Sequence, residues 1–250
     1  MQEMKRILGG IRRADEQYHL FSDGDKILAG ISGGKDSLTL VAALKEYARF
    51  CPAHFELTGV HVDPGFGEDA EVRRTVRASL EAYCASLGVP FHVIESPIAK
   101  VVFEEHKEDN PCSLCARMRH RALLEDALAQ GCNKIALGHH REDAVDTFIM
   151  NLLHEGRLGS MPPARTLEGT SVTLIRPMLT VSEKDIQTYA KEAGLPVMKN
   201  PCPADKHTER ETVRKWLEQE DKAHRGVYHR VFSAMQKGHI EGLTQSDDET

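Results

Sequence analysis

Apolar residues recur along the chain in two patterns, short unbroken runs and helical spacing. The unbroken runs predict five buried strands, at 26–31, 55–62, 91–95, 134–138 and 172–176. Apolar residues three or four positions apart predict helices at 37–50, 68–87, 116–129, 182–193, 208–220 and 225–237, with one more after residue 138. Because strands and helices alternate, we predict an α/β fold in which helices cover both faces of a parallel sheet.

The predicted strand ends locate the candidate site. Parallel sheets of this kind bind ligands at the carboxyl ends of their strands. Four predicted loops lie at that edge, after Ile31, Val62, Gly138 and Arg176, and we expect them to surround one site. The stretch 96–111 shows no periodicity and is interpreted as irregular.

The composition is that of an ordinary globular protein. Of the 250 residues, 40% are hydrophobic and 28% are charged, which excludes a disordered or collagen-like chain. No apolar run reaches the roughly 18 residues that span a bilayer, and the first residues lack the apolar core of a secretion signal. We therefore expect a cytoplasmic protein that does not contact a membrane.

Charge and cysteine content narrow the possible partners. The net charge is −6, and the last ten residues hold four carboxylates but no Lys or Arg. A basic face for nucleic acid is compatible with this total, although composition does not reveal one. Six cysteines are too few for a disulfide scaffold and indicate reduced thiols or metal binding. We predict a main domain at 1–205, a helical extension packed on it at 206–240 and a disordered acidic tail at 241–250.

The segment 32–37, Ser-Gly-Gly-Lys-Asp-Ser, joins the first predicted strand to a helix. Its glycines let the backbone approach a ligand and point N–H groups at it. The helix N-terminus and Lys35 add positive charge, so the segment is suited to phosphate. It is not a Walker A loop, because the glycine spacing differs. A carboxylate at Asp36 makes sense beside phosphates if a divalent cation bridges them.

This loop resembles the signature of the PP-loop ATP pyrophosphatases. The resemblance implies a five-stranded parallel sheet flanked by helices, a loop that holds pyrophosphate, and cleavage of ATP between its α- and β-phosphates to adenylate a carbonyl oxygen. Magnesium would lie near Asp36. The implied ATP contacts come from the loop and neighbouring strand ends: Ser32, Gly33, Gly34, Lys35, Asp36, Ser37, Asp63, Gly138 and His139.

Cysteines form the second candidate centre. Cys112 and Cys115 make a C-x-x-C pair just before a predicted helix, and Cys202 lies far downstream. The pair alone is compatible with zinc, an iron–sulfur cluster or redox chemistry. Three thiolates on a cluster would leave one iron open, whereas zinc needs a fourth ligand. Candidates for that ligand are His106, His120, His139 and His207. Packing is expected for the remaining cysteines, Cys51, Cys84 and Cys132.

Further segments narrow the resemblance to the PP-loop branch that makes 2-thiocytidine in tRNA. They are Cys-Ser-Leu-Cys at 112–115, Leu-Gly-His-His-Arg-Glu-Asp at 137–143, Met-Pro-Pro at 161–163 and Ile-Arg-Pro at 175–177, in the family's order. The resemblance implies a [4Fe-4S] cluster on Cys112, Cys115 and Cys202 and a basic catalytic or RNA-contacting residue at Arg119. It also implies tRNA as substrate and a sulfur donor, either a cysteine desulfurase or sulfide.

Four further positions have a structural and a functional interpretation. Asp143 either caps the helix that it opens or contacts ATP, magnesium or the base, and we expect it to be catalytic with Asp36 and Arg119. Asp63 either contacts the nucleotide or forms an Asx turn. The basic helix residues after the third cysteine either contact tRNA phosphates or form a solvated surface; they are Arg210, Arg214 and Lys215.

These observations predict an ATP-dependent tRNA sulfurtransferase. The C2 oxygen of a cytidine attacks the α-phosphorus, pyrophosphate leaves, and sulfur then displaces AMP. One alternative is a PP-loop ligase without sulfur chemistry, for amidation or lysine attachment, whose cysteines bind zinc. Another is a zinc-stabilised RNA-binding protein, which the intact Lys35, Asp36 and Asp143 disfavour. A homodimer is compatible with an exposed helix face, but no specific pattern indicates one.

Overall fold

The computed structural model describes residues 2–66, 70–105, 111–198, 202, 209–238, 240 and 243. The strands are β1 (Asp25–Gly30), β2 (Phe55–Asp63), β3 (Phe91–Glu95), β4 (Lys134–Ala136), β5 (Ala164–Thr166) and β6 (Thr173–Ile175). The helices are α1 (Gln2–Tyr18), α2 (Lys35–Tyr47), α3 (Ala70–Ser86), α4 (Ile98–Lys100), α5 (Pro111–Gln130), α6 (Arg141–Met150), α7 (Glu183–Glu192), α8 (Glu209–Ala223) and α9 (Val227–Lys237).

The strands form one sheet in the order β3-β2-β1-β4-β6-β5. The five predicted strands are present and parallel to one another, which confirms the predicted α/β fold. A sixth strand, β5, pairs antiparallel with β6 at the edge. The sequence pattern did not reveal β5, because it is three residues long and its Ala-Arg-Thr sequence has no apolar run.

Three helical segments differ from the sequence prediction. Helix α1 was not predicted, although Ile7, Ile11 and Ala14 recur at helical spacing and are fully buried. Residues 98–105, interpreted as irregular, form α4 and a wide helical turn at Val101–Glu105. Helix α5 begins five residues earlier than predicted, so the C-x-x-C pair lies in its first turn rather than before it. The other predicted helices are confirmed within a few residues of their ends.

Helices cover both faces of the sheet, and a further pair of helices, α8 and α9, packs on α6. The larger core joins α1, α2 and α7 to β1, through fully buried side chains such as Leu38 and Leu44. Helix α5 packs on the opposite face, where Leu28 and Ile135 are buried. Helices α8 and α9 pack on α6 and bury Leu217. None of the helices in the described part of the chain is long and apolar enough to cross a membrane.

The predicted division into domains falls partly outside the described residues. Helices α8 and α9 share a core with α6, and the division into a main domain and an extension stays a prediction. Of the predicted acidic tail at 241–250, only Leu243 is described, and its side chain is buried. The rest of that tail lies outside the described residues, so its predicted disorder stays a prediction.

Candidate active site at the carboxyl edge of the sheet

The phosphate loop turns sharply between β1 and α2. Gly33 has a φ of +84°, a left-handed conformation that favours glycine. The hydroxyl of Ser37 closes the turn, since it accepts a hydrogen bond from the N–H of Ser32 at 3.1 Å and donates one to the carbonyl of Gly34 at 3.0 Å. The two serines therefore shape the loop, and its remaining backbone N–H groups stand at the N-terminus of α2.

Gly138 lets the loop after β4 approach the phosphate loop. A Cβ atom at this position would lie 3.0 Å from the backbone carbon and oxygen of Asp36. Real Cβ atoms rarely come so close to backbone, so only glycine fits without movement. The sequence analysis expected Gly138 to admit a ligand; in the structure it admits the backbone of Asp36.

Lys35 begins α2 and is held by two carboxylates. Its Nζ lies 2.9 Å from Oε1 of Glu183 and 3.1 Å from Oδ1 of Asp36. Burial lowers the pKa of Lys35, but these two charges outweigh it and the pKa is raised. Burial raises the pKa of Glu183, but the charges of Lys35 and Arg214 outweigh burial. The pKa of Glu183 is therefore lowered, and this carboxyl is ionised. The lysine is thus a fixed positive charge at the phosphate loop.

Sequence reasoning missed Glu183 as a site residue. It recognised 182–185 as a helix start, and the structure confirms this, because the Ser182 hydroxyl accepts a hydrogen bond from the N–H of Asp185 at 3.2 Å. Residue 183 is the first of α7, which follows the carboxyl end of β6. Its position after a predicted strand end was the signal that placed it at this edge.

His140 is buried among three carboxylates. Its Nε2 lies 3.4 Å from Asp143 and 3.7 Å from Asp36, and its Nδ1 lies 3.3 Å from Glu142. Burial lowers the pKa of His140, but the hydrogen bond to Glu142 and the charges of Asp143 and Asp36 outweigh it, so the pKa is raised. Residue 140 belongs to the segment 137–143 that carried the family resemblance, and the structure places its ring next to both predicted catalytic aspartates.

Asp143 is the third residue of α6 rather than its N-cap. The N-cap is His140, whose backbone N–H donates to the Asp143 carboxylate at 3.0 Å. Burial raises the pKa of Asp143, but the effect of His140 and His139 is larger and opposite, so the pKa falls below its ordinary value. Asp143 therefore holds the helix start and keeps a negative charge 3.4 Å from the His140 ring.

The raised pKa of His140 predicts a pH-dependent stability. Below the ordinary histidine pKa of about 6.5, both the folded and the unfolded states hold the proton, and the stabilisation is fully present. As the pH rises above this value towards the raised folded pKa, only the folded state holds it, so the free energy of unfolding falls. Urea unfolding of wild type and His140→Asn between pH 6 and 9 measures this. An unchanged slope in the variant would contradict the assignment.

Arg214 joins the C-terminal extension to the site. From α8, its Nε lies 3.3 Å from Asp146, and its terminal nitrogen lies 3.5 Å from Glu183 and 3.7 Å from Asp143. The sequence analysis proposed Arg214 as a tRNA contact, but its guanidinium faces three carboxylates of this site. Burial raises the pKa of the fully buried Asp146 to about 6, although Arg214 lowers it.

Replacing Arg214 with glutamine is expected to lower the free energy of unfolding by about 3 kcal/mol, because it leaves the buried Asp146 without its charge partner. Lys215, the next residue, is the matched control: its side chain is 63% exposed and pairs only across one helical turn with Glu211. Lys215→Gln is expected to change stability by less than about 0.5 kcal/mol. Urea unfolding at pH 7 measures both. Equal effects would contradict the buried network.

His139 is bound to Arg176 rather than free. Its Nδ1 accepts a hydrogen bond from Nε of Arg176 at 3.3 Å, and burial and that positive charge lower the pKa of His139 to about 3. The ring is therefore neutral. Arg176 also donates to the carbonyl of Pro162 at 2.6 Å, so two of the motifs noted in the sequence, 161–163 and 175–177, meet here.

The three predicted cluster ligands interact with one another. Burial raises the thiol pKa values of Cys112 and Cys115, and the charge of Cys202 raises both further. Arg119 acts in the opposite direction and lowers both pKa values. Its Nε is buried and has no hydrogen-bond partner within the described ranges. Residues that are far apart in sequence thus form one thiol-rich group with an adjacent cation.

The cysteine group differs from a site for one ion. Within the described ranges, no three His, Cys, Asp or Glu side chains are grouped so that they could hold a single metal ion. A cluster makes a different demand, since it is held by thiolates distributed over several irons. Two of the histidines considered as zinc ligands, His106 and His207, lie outside the described residues. Of the other cysteines, Cys84 and Cys132 are buried as expected and Cys51 is half-buried.

A cavity of about 710 Å³ connects the phosphate loop to Arg119. It opens at the carboxyl ends of β1, β2 and β3, and Ser32, Gly34, Asp63 and Arg119 contribute to its wall. Asp63 also accepts the N–H of Gly65 at 2.9 Å, so the expected Asx turn is present. The phosphate loop and Arg119, which lowers the pKa of the Cys112 and Cys115 thiols, therefore line one common cavity.

Comparisons with known proteins decide the family. A family model described as the PP-loop domain matches residues 10–221. The chain is 35% identical over 242 residues to the tRNA-cytidine(32) 2-sulfurtransferase of Dechloromonas aromatica, covering 94% of this chain and 81% of that protein. It is 36% identical over 241 residues to the same enzyme of Pseudomonas putida strain F1, covering 94% and 84%. This chain belongs to the PP-loop family of tRNA 2-sulfurtransferases.

The fold comparison agrees with the PP-loop assignment. The structure is similar to that of the U34-tRNA thiolase NcsA from Methanococcus maripaludis, which was solved with its [4Fe-4S] cluster. The TM-score is 0.75 at 23% sequence identity, with 97% of this chain and 84% of that chain covered. The α/β architecture and its C-terminal helices are therefore those of a known PP-loop protein.

Proposed function

We propose that this protein replaces the C2 oxygen of a tRNA cytidine with sulfur, in a reaction driven by ATP. The observation that carries the proposal is the shared cavity: Ser32 and Gly34 of the phosphate loop and Arg119, which interacts with Cys115, contribute to one wall. An activation centre and a sulfur centre that open on the same space can act on one base in turn. The names of the relatives indicate cytidine 32 as the position.

The phosphate loop performs the activation step. The C2 oxygen of the cytidine attacks the α-phosphorus of ATP, and pyrophosphate leaves into the loop. Backbone N–H groups at the start of α2 and the charge of Lys35 stabilise the phosphate oxygens. Lys35 exchanges its contact with Glu183 for the phosphate, while Arg214 retains the Glu183 carboxylate. The adenylated oxygen is a far better leaving group than the original carbonyl oxygen.

Mg²⁺ fits the acidic residues of this site. The carboxylates of Asp36 and Asp143 both approach Nε2 of His140, at 3.7 and 3.4 Å, and Oδ1 of Asp36 is buried with Lys35 Nζ as its ion-pair partner at 3.1 Å. Carboxylate oxygens are the preferred ligands of Mg²⁺. A bound ion would neutralise phosphate charge, and Asp36 with Asp143 would hold it.

The three predicted ligand cysteines suit a [4Fe-4S] cluster. Cys112, Cys115 and Cys202 interact with one another, and the unpartnered Nε of Arg119 beside them is a donor in need of an acceptor. A cluster held by three thiolates has one iron open to a further ligand, which is the chemistry that it supplies here. Sulfur at the oxidation level of sulfide then bonds to C2, and AMP leaves with the original oxygen; persulfide sulfur from a desulfurase reaches this level only after a thiol reductant has supplied two electrons.

The proposed tRNA contacts lie on α8. Arg210 donates a hydrogen bond to the Thr147 hydroxyl at 2.9 Å, and Lys215 is exposed. We retain these two as phosphate contacts, since a phosphate can be reached from the surface of this helix. Arg214 is instead a positioning residue within the site.

Thiolation of tRNA by the purified protein tests the function. Anaerobically reconstituted protein is incubated with ATP, Mg²⁺, sulfide and unmodified tRNA, and 2-thiocytidine, AMP, iron, acid-labile sulfide and zinc are measured. We expect 2-thiocytidine and AMP in equal amounts and about four irons per chain. Stoichiometric zinc with AMP but no thionucleoside would indicate the ligase alternative, and zinc without turnover would indicate the RNA-binding alternative.

A further inference from the structure

His61 has one nitrogen occupied and one available. It lies on β2, its side chain is nine-tenths buried, and Nδ1 is 2.7 Å from the carbonyl oxygen of Ile31. A carbonyl oxygen only accepts hydrogen bonds, so Nδ1 carries the proton. Burial lowers the pKa of His61, and the Ile31 and Asp63 contacts that raise it do not outweigh this. The ring is therefore neutral, and Nε2 is an acceptor without a proton.

His61 lines the cavity beside the phosphate loop, and because Nδ1 is used by Ile31, Nε2 is the nitrogen that is left for a ligand. Among the described residues Nε2 has no hydrogen-bond partner. Val62, Phe66 and Val93 give the same cavity apolar walls, and Ser32 of the phosphate loop stands at its margin. A volume of about 710 Å³ is in the range of sites that enclose small molecules. Arg73, Arg74, Arg77 and Arg119 also line the cavity, so apolar surface beside a hydrogen-bond acceptor suits the base of a phosphorylated nucleotide.

We propose that Nε2 of His61 accepts a hydrogen bond from the exocyclic amino group of a nucleobase bound in this cavity. Adenine and cytosine both carry an amino group at the relevant ring edge, whereas hypoxanthine and uracil carry a carbonyl oxygen there. An amino group donates to the Nε2 lone pair, but a carbonyl oxygen places a second lone pair against it. His61 thus selects amino bases. This inference rests on the proposed function only in that a nucleotide or a tRNA base enters the site.

Two variants separate the two nitrogens. In His61→Asn, the side-chain amide nitrogen takes the place of Nδ1 and keeps the bond to Ile31, but no acceptor remains at the Nε2 position. In His61→Gln, the amide oxygen reaches the Nε2 position and preserves the acceptor. His92→Asn on the neighbouring strand is the matched control, because that histidine pairs with Asp126 on the α5 side of the sheet at 2.8 Å.

The test has a nucleotide arm and a tRNA arm. In the first, calorimetry measures the dissociation constants of ATP and ITP for each variant; in the second, single turnovers compare tRNA with C32 and with U32. We expect wild type, His61→Gln and His92→Asn to prefer the amino form by about tenfold, and His61→Asn to lose this preference. If His61→Asn loses the preference for ATP over ITP, the ligand of His61 is adenine. If it loses the preference for C32 over U32, the ligand is cytosine.

A folded His61→Asn protein that keeps both preferences would overturn the inference. The proposed function fails separately: wild type that binds ATP in preference to ITP but forms no 2-thiocytidine would refute the sulfurtransferase and leave the role of His61 standing. Thermal unfolding of each variant without ligand confirms that the comparison is made between folded proteins.

Discussion

Replacing Cys115 with serine is expected to abolish 2-thiocytidine formation and to remove the cluster iron. Cys115 is the buried one of the three predicted cluster ligands, and the charges of Cys112, Cys202 and Arg119 all affect its pKa. A serine hydroxyl is a poor ligand for iron, because soft sulfur ligands suit these clusters. We expect iron and acid-labile sulfide to fall by at least half and thionucleoside to become undetectable.

Cys51→Ser is the matched control for this loss. Cys51 is half-buried and packs against the larger core near Tyr47, away from the three predicted cluster ligands. Its replacement is expected to leave iron, sulfide and thiolation near wild-type levels. If Cys115→Ser retained both the cluster and the activity, the assignment of the three ligands would be wrong. If it lost thiolation but retained the cluster, Cys115 would act in sulfur transfer rather than in cluster binding.

Replacing Lys35 with methionine is expected to slow AMP formation by at least a hundredfold, because it removes the positive charge that faces the leaving phosphates. The side chain keeps similar length and its stem still packs at the start of α2. Two of the proposed cluster ligands, Cys112 and Cys115, lie on α5, so iron content should not change. Single-turnover release of pyrophosphate from ATP in the presence of tRNA measures the step directly.

Lys45→Met tests whether the effect belongs to the site. Lys45 lies in the last turn of the same helix and donates to the carbonyl of Gly88 at 3.1 Å. The Lys45→Met variant is expected to release pyrophosphate at the wild-type rate. If Lys35→Met also released pyrophosphate at that rate, the loop would not be the activation centre. Together with Cys115→Ser, the lysine variant separates activation from sulfur transfer, since each is expected to lose one step and keep the other centre intact.

The sequence by itself determined the architecture and the location of the site. Unbroken apolar runs appear wherever a strand is buried on both faces, so five of the six strands were predictable, and the helices between them follow from spacing. Parallel strands put their carboxyl ends at one edge, which placed the segment 32–37, Asp63, Gly138 and Asp143 near one another. The edge strand β5 was not predicted, because it is short and largely exposed and therefore carries no apolar pattern.

The tertiary structure decided which charges meet. Lys35, Glu183 and Arg214 lie on three helices, and only the packing of α7 on α1 and α2 and of α8 on α6 brings Glu183 within 2.9 Å of Lys35 and 3.5 Å of Arg214. Local periodicity says which face of a helix is buried but not which residue stands opposite. The sequence analysis therefore predicted a tRNA contact or a solvated surface for Arg214, and it could not foresee the carboxylates that face this residue within the chain.

The same limit applies to the thiols and to His61. The motif indicated that Cys112 and Cys115 act together, but their meeting with Cys202 and Arg119 depends on the path of the chain around α5. His61 lies within a strand that is predictable from its apolar run, yet nothing local shows that Nδ1 is used by Ile31 and that Nε2 is left to a cavity. Hydrogen-bond partners across strands are set by register, which is a property of the folded sheet.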